Sequence, residues 1–145
     1  MDTIPITPIS PSEFGPATPL WLPTYLSPLI AEPLADGIHW INHERFFFES
    51  AELDRILCIP PGFITDFAST PRILWTLVGA PTGWYSKAAM THDYCFDTPG
   101  VATFHQSNRV FREAMQISAK HNALQQWALY EGVQVFGRSS YRGGL

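Results

Sequence analysis

Eight prolines within the first 36 residues, at positions 5, 8, 11, 16, 19, 23, 28 and 33, constrain this chain more than any other feature. Each proline removes a backbone donor and crowds the preceding helical turn, so no helix runs through that spacing. The same stretch holds no Lys or Arg, yet Ile4, Ile6, Ile9, Phe14, Leu20, Trp21, Leu22, Tyr25, Leu26, Leu29 and Ile30 interleave with the prolines. Apolar residues at this density seek a surface, and proline lowers the entropy lost when an extended segment docks. The sequence predicts an extended proline-rich arm over residues 1–36, lying along its own domain or a neighbouring chain. A single domain follows over residues 37–145.

The chain of 145 residues is 46% hydrophobic, enough for one sizeable core without covalent staples. A net charge of −4 and the scarcity of basic residues give no electrostatic footprint for DNA or RNA, so no nucleic-acid partner is expected. Cys58 and Cys95 are too few for a disulfide framework and form no zinc-binding spacing, which makes both buried thiols of a reducing compartment. No signal peptide and no transmembrane segment are read from the apolar runs, so synthesis is expected in the cytoplasm.

From Gly37 onward, short runs of aromatic and branched residues at 38–41, 45–49 and 55–59 alternate with polar breaks, predicting a small antiparallel meander. His39 and His43 fall at its exposed face or turn. Pro60, Pro61 and Gly62 stop the last strand, residues 63–65 can resume pairing, and residues 66–69 can turn by bonding side-chain oxygens to backbone N–H groups. Pro71 then opens a short helix through Ile73, Leu74, Trp75 and Leu77. In this loop Asp66, Ser69 and Arg72 offer an acceptor, a hydroxyl and a bidentate cation, a group able to orient a carboxylate or a histidine.

Residues 84–96, WYSKAAMTHDYCF, read as the central helix. Tyr85, Ala88, Ala89, His92 and Phe96 share one face at helical spacing, while Lys87, Met90 and Asp93 turn elsewhere. An imidazole on the inner face, followed by a carboxylate and the Tyr94 phenol, has the composition of a general-base or metal site. A packed core histidine has the same composition, and both readings stay open. Two more helices are predicted, from near Ser107 to about Ala119 and, capped by Asn122, through Leu124, Trp127, Ala128 and Val135 to Gly137. Residues 138–145, polar and Gly-rich, are expected to fray. The fold class is therefore α+β, a small antiparallel sheet packed on about three helices.

Three stretches in order, PPGFITDFASTPR, AAMTHDYCF and SNRVFREAM, carry a family resemblance. Together they resemble an uncharacterised phage and prophage family with the patterns G-F-x-T-D-x-A-S-x-P-R and H-D-Y-x-Y, over about residues 56–137. Gly62, Phe63, Thr65, Asp66, Ala68, Ser69, Pro71 and Arg72 match the first pattern, and His92, Asp93 and Tyr94 match the second. Phe96 stands where that family often has Tyr, and Asn108 where it has Asp. More locally, Ala88, Ala89, His92, Asp93 and Phe96 resemble the active helix of the His-Asp secreted and parvoviral phospholipases. That likeness implies His92 as general base, Asp93 as ligand of a divalent cation such as calcium, and Asn108 or Asp66 orienting the imidazole. The glycine-rich calcium loop and the disulfides of those enzymes are not evident here.

Two principal functions follow as expectations. The first is a phage virion-associated protein of the tail or head-tail region, part of an oligomeric assembly, touching other phage structural proteins through its N-terminal arm. It would be made in the host cytoplasm and carried in the virion. The alternative is a metal-assisted hydrolase acting on phospholipid or cell wall during phage entry or release. Its catalytic residues would be His92, Asp66 and Asn108, with Ser69, Arg72 and Tyr94 around the substrate. A small host-directed inhibitor also fits the acidity and size.

Overall fold

A computed structural model describes residues 23–67, 84–118 and 123–143. Six strands come first: β1 (Thr24–Tyr25), β2 (Ala31–Pro33), β3 (Trp40–Asn42), β4 (Phe46–Ser50), β5 (Arg55–Ile59) and β6 (Ile64–Thr65). Three helices follow, α1 (Ser86–Asp97), α2 (Phe104–Ser118) and α3 (Ala123–Phe136), then a 3-10 turn at Arg138–Ser140. The class is α+β, as the alternation of short branched runs and helical periods implies.

The strands form two three-stranded antiparallel sheets, ordered β1-β4-β5 and β2-β3-β6, rather than one meander. The turn at Pro60–Gly62 causes the separation. Gly62, at φ +87°, donates its N–H to Asn42 O at 2.7 Å and sends β6 onto β3 instead of alongside β5. Only glycine takes that left-handed conformation without strain. The Asn42 side chain then ties the sheets together by donating to the carbonyls of Ile59 (3.3 Å) and Pro60 (3.1 Å).

The last part of the proline-rich stretch is woven into both sheets, since β1 pairs with β4 and β2 with β3. Tyr25 stacks on Phe46 and lies tilted against Phe48, and its hydroxyl donates to Ala114 O (2.9 Å) near the end of α2. Residues 1–22 lie outside the described residues, as does the helix expected at 71–77.

Helix α1 is enclosed rather than two-faced. Every residue from Ala88 to Phe96 is buried, including Met90 and Asp93, which the helical period turned away from the core. The reason is its position: α1 packs against α2 on one side and against β5 and β6 on another. A helix surrounded in this way needs no polar stripe.

Helix α2 begins at Phe104, one turn before the position expected from its apolar period. Thr103 and Gln106 form a capping box: Gln106 N–H donates to Thr103 Oγ1 (3.1 Å), and Thr103 N–H to Gln106 Oε1 (2.9 Å). Residues 138–143, expected to fray, instead fold back on the end of α1. Arg142 N–H donates to Phe96 O (2.9 Å), Tyr141 OH to Ala102 O (2.5 Å), and the Tyr141 ring meets Phe96 and Phe104. Aromatic burial by Tyr141 outweighs the flexibility of the neighbouring glycines. His39 and His43 stand at the outer rim, paired with Asp36 (2.5 Å) and Glu32 (3.0 Å).

Candidate functional site

The polar centre of the molecule forms where β6, α1 and α2 meet. Beta-strand β6 ends at Thr65, and Phe67 adopts a left-handed φ of +50°, so the backbone reverses there. Thr65 Oγ1 accepts the Phe67 N–H (3.0 Å), fixing that reversal, and donates its own proton to Asp93 Oδ2 on α1. One hydroxyl thus secures both the turn and a buried carboxylate. The sequence expected side-chain bonding of this kind at residues 66–69, of which 68 and 69 lie outside the described residues; Thr65, one position earlier, supplies one such bond.

His92 lies next to Asp93 on α1, with a residual exposure of 1%. Its ring is held between Phe96 and Phe111, with centroids at 4.1 and 4.8 Å. Nε2 meets Asn108 Oδ1 on α2 at 3.0 Å. An amide oxygen only accepts, so in this contact Nε2 carries a proton and donates it. Nδ1 is 3.8 Å from Asp93 Oδ1, beyond hydrogen-bond reach, and has no partner among the described residues. Asn108 Nδ2 is likewise unsatisfied. The site therefore holds the ring by one firm bond and leaves its second nitrogen facing a carboxylate.

The structure brings His92, Asp93 and Asn108 together, turns Tyr94 away and leaves Asp66 exposed. Tyr94 turns to the sheet side, where its ring meets Phe63 edge-on at 5.6 Å and burial pushes its phenol pKa up. Asp66 is exposed, whereas His92 is enclosed and its Nε2 is occupied by Asn108. Ser69 and Arg72 lie outside the described residues. Cys95 is fully buried, and that burial pushes its thiol up to about 12, which makes it inert as a nucleophile.

Two residues of this centre escaped the sequence reading. Thr65 was legible only as a match to a pattern, because its partner Asp93 is 28 positions away. Asp97 is one turn beyond Asp93 on α1; burial, then the nearby Asp93 and Asp66 carboxylates, push its pKa up to about 6. The i, i+4 spacing of two carboxylates was the available signal.

Among the described residues no group of three or more His, Cys, Asp or Glu could hold a metal ion. Calcium takes six to eight oxygen ligands. Asp93 Oδ2 is already engaged by the Thr65 hydroxyl. Described residues line cavities in at least two places. A groove of about 350 Å³ runs between α2 and α3, and one of about 150 Å³ lies beside Leu29, Ala31, Trp40, Phe67 and Ser86. His92 lines neither. No described helix is long and apolar enough to cross a membrane.

The chain is similar to the uncharacterised protein y4jT of Sinorhizobium fredii (strain NBRC 101917 / NGR234), at 34% identity over 83 residues. That alignment covers 54% of this chain and 23% of the relative, so the chain spans less than a quarter of that protein's length. No solved structure matches the chain. A protein-family profile matches residues 40–133, the segment that contains β3 to β6, α1, α2 and most of α3. By that match the chain belongs to DUF1353, a family of proteins of unknown function.

Proposed function

We propose that this protein is a virion-associated component of phage or prophage origin, of the tail or head-tail region, in which the His-Asp centre holds the fold rather than turning over a substrate. The observation that carries the structural half of this reading is the enclosure of His92. At 1% exposure, between two phenyl rings and bonded through Nε2 to Asn108, the imidazole has no face left for a substrate. Buried networks of this kind join elements that would otherwise slide, here β6 to α1 and α1 to α2.

Support for an assembly role comes from composition and surface. The first 22 residues combine apolar side chains with prolines and carry no basic group, which suits an arm that contacts other phage structural proteins. Leu124, Trp127, Val135 and Phe136 stand exposed on α3, more apolar surface than a helix of a free monomer ordinarily presents. The phage setting itself rests on the resemblance of the GFITDFASTPR and HDY stretches to phage and prophage sequences.

One observation favours the hydrolase alternative. Nδ1 of His92 has no hydrogen-bond partner among the described residues and faces the Asp93 carboxylate at 3.8 Å. A proton taken up there would be stabilised by that charge, as a general base requires. Asn108 accepts a proton donor but adds no charge to hold an imidazolium, so such a base would be weak.

The test joins particle composition with a silent substitution. Mass spectrometry of purified particles should find the protein at a fixed copy number. A His92→Gln variant should be incorporated and leave infectivity within about twofold of wild type, since glutamine donates to Asn108 but cannot shuttle a proton. Absence from particles sinks the virion reading, and loss of infection by a folded, incorporated variant favours the hydrolase.

A further inference from the structure

The sheet β2-β3-β6 turns one face to the core and the other outward. Trp40 and Thr65 are paired across β3 and β6; Thr65 is buried and Trp40 meets Phe67, which marks their face as the inner one. One position along, Glu32 pairs with Ile41 and Ile41 with Ile64, so these three side chains form a row on the opposite face. His39 and His43, two residues either side of Ile41, share that outer face. Pairing continues to Ile30, whose carbonyl accepts the His43 N–H at 2.8 Å. Ile64 and Ile30 are 48% and 41% exposed, and Ile38 at the hairpin turn is 51% exposed. Single exposed isoleucines are ordinary, but Ile41 and Ile64 are cross-strand neighbours in the middle of this face, and apolar centres with polar rims mark contact sites.

The rim is acidic. Glu32 stands in the central row, 3.0 Å from His43 Nε2. Asp36 closes the β2–β3 turn by accepting the N–H groups of Ile38 and His39 and meeting His39 Nδ1 at 2.5 Å. That bond, with the added charges of Asp36 and Asp66, holds His39 above its ordinary pKa, which places Asp66 within electrostatic reach of the same face. Residues 23–44 and 60–67 contain no Lys or Arg. Arg45, next in the chain, acts on Cys58 in the other sheet.

Charge selects the occupant. A second copy meeting this face with its own would bring Glu32, Asp36 and Asp66 against themselves, and nucleic acids and anionic membranes carry the same sign. A basic polypeptide is complementary. Size narrows the choice further. Three strands about 4.8 Å apart, and the five residues from Ile30 to Leu34 at about 3.4 Å each, give a face roughly 10–15 Å each way. That is well short of the roughly 800 Å² per partner that a stable interface between domains covers, and it suits a short segment.

We propose that the outer face of β2-β3-β6 binds a short basic segment of another polypeptide, with branched apolar side chains on Ile41 and Ile64 and Lys or Arg beside Glu32, Asp36 and Asp66. The assignment goes beyond the virion reading, involves neither α3 nor residues 1–22, and does not depend on that reading.

The probe is a synthetic peptide, Lys-Ile-Lys-Val-Lys-Ile-Lys with blocked ends, titrated into the full-length chain and followed by the backbone amide signals in NMR. Its control, Lys-Ser-Lys-Ser-Lys-Ser-Lys, has the same charge and no apolar side chain. Shifts should centre on residues 30–43 and 64–66, and the first peptide should bind at least roughly tenfold more tightly than the control. Ile64→Lys and, separately, Glu32→Lys, each with the fold checked by circular dichroism, should weaken binding by roughly tenfold or more. Glu131→Lys on α3 should change it by less than about twofold. No binding at millimolar peptide, equal binding of the two peptides, shifts centred elsewhere, or affinity unchanged by Ile64→Lys in a folded protein would each overturn the proposal. Self-association of the free chain that Ile64→Lys abolishes would assign the face to a second copy and overturn it as well.

Discussion

His92 and Asn108 meet across the α1–α2 interface, Nε2 to Oδ1 at 3.0 Å, with both side chains removed from solvent. This one bond orients the ring and ties the two helices together. Because the pair is buried, deleting one partner leaves the other unsatisfied, which costs more than the bond itself contributes.

Asn108→Ala should therefore destabilise the protein by about 1–3 kcal/mol, the penalty of a buried imidazole N–H without an acceptor. Urea unfolding followed by circular dichroism measures it. A variant within a few tenths of wild type would mean that the ring turns to another partner and that the contact does not organise the interface.

Thr65→Val is nearly isosteric and removes the hydroxyl that serves both Asp93 and Phe67 N–H. The expected loss is again about 1–3 kcal/mol, since a hydrogen bond to a buried carboxylate disappears without a cavity to share the blame. Asp93→Asn in the same background should recover part of the loss, because a neutral amide tolerates the missing donor better than a charge does. A Thr65→Val effect unchanged by Asp93→Asn would show that the two groups act separately, and a double-mutant cycle measures that coupling.

Much of the fold was legible in the sequence, and the boundaries of its failure are physical. The strands at 40–42, 46–50 and 55–59 follow from branched and aromatic runs, and the resumption of pairing after Gly62 from the turn signal. The division into two sheets was not legible, because it depends on Asn42 and the Pro60–Gly62 turn choosing β3 over β5 as neighbour for β6. Periodicity placed His92 inside but turned Asp93 outward, since a period assumes one buried face and α1 has none exposed between Ala88 and Phe96. The start of α2 was missed because Thr103 and Gln106, two polar residues, define it, while the apolar period marks only its middle. Tyr141 held the C-terminal segment in place against a local composition that pointed to fraying.

Asp97 makes stability depend on pH. Its folded-state pKa, about 6 against an ordinary 3.8, is raised by burial first and by Asp93 and Asp66 next. The folded chain thus keeps a proton that the unfolded chain loses, and stability falls as pH rises from about 4 to about 6. Above that window the cost is constant, and below it absent. Asp97→Asn should therefore raise the unfolding midpoint at pH 7 and change it little at pH 4. The side chain is partly in water, so screening keeps the gain small. Denaturation at both pH values decides it, and an equal gain at each would remove the carboxyl's charge as the cause.

The central claim is that the buried imidazole works as a structural hydrogen-bond donor. Infectivity of purified particles carrying His92→Gln, with incorporation quantified by mass spectrometry and the fold verified by circular dichroism, tests it most directly. The account predicts normal incorporation and infectivity within about twofold of wild type, because the glutamine amide can replace Nε2–H toward Asn108. A variant that folds and is incorporated, yet loses infectivity by orders of magnitude, would contradict the claim and assign His92 a proton-transfer role.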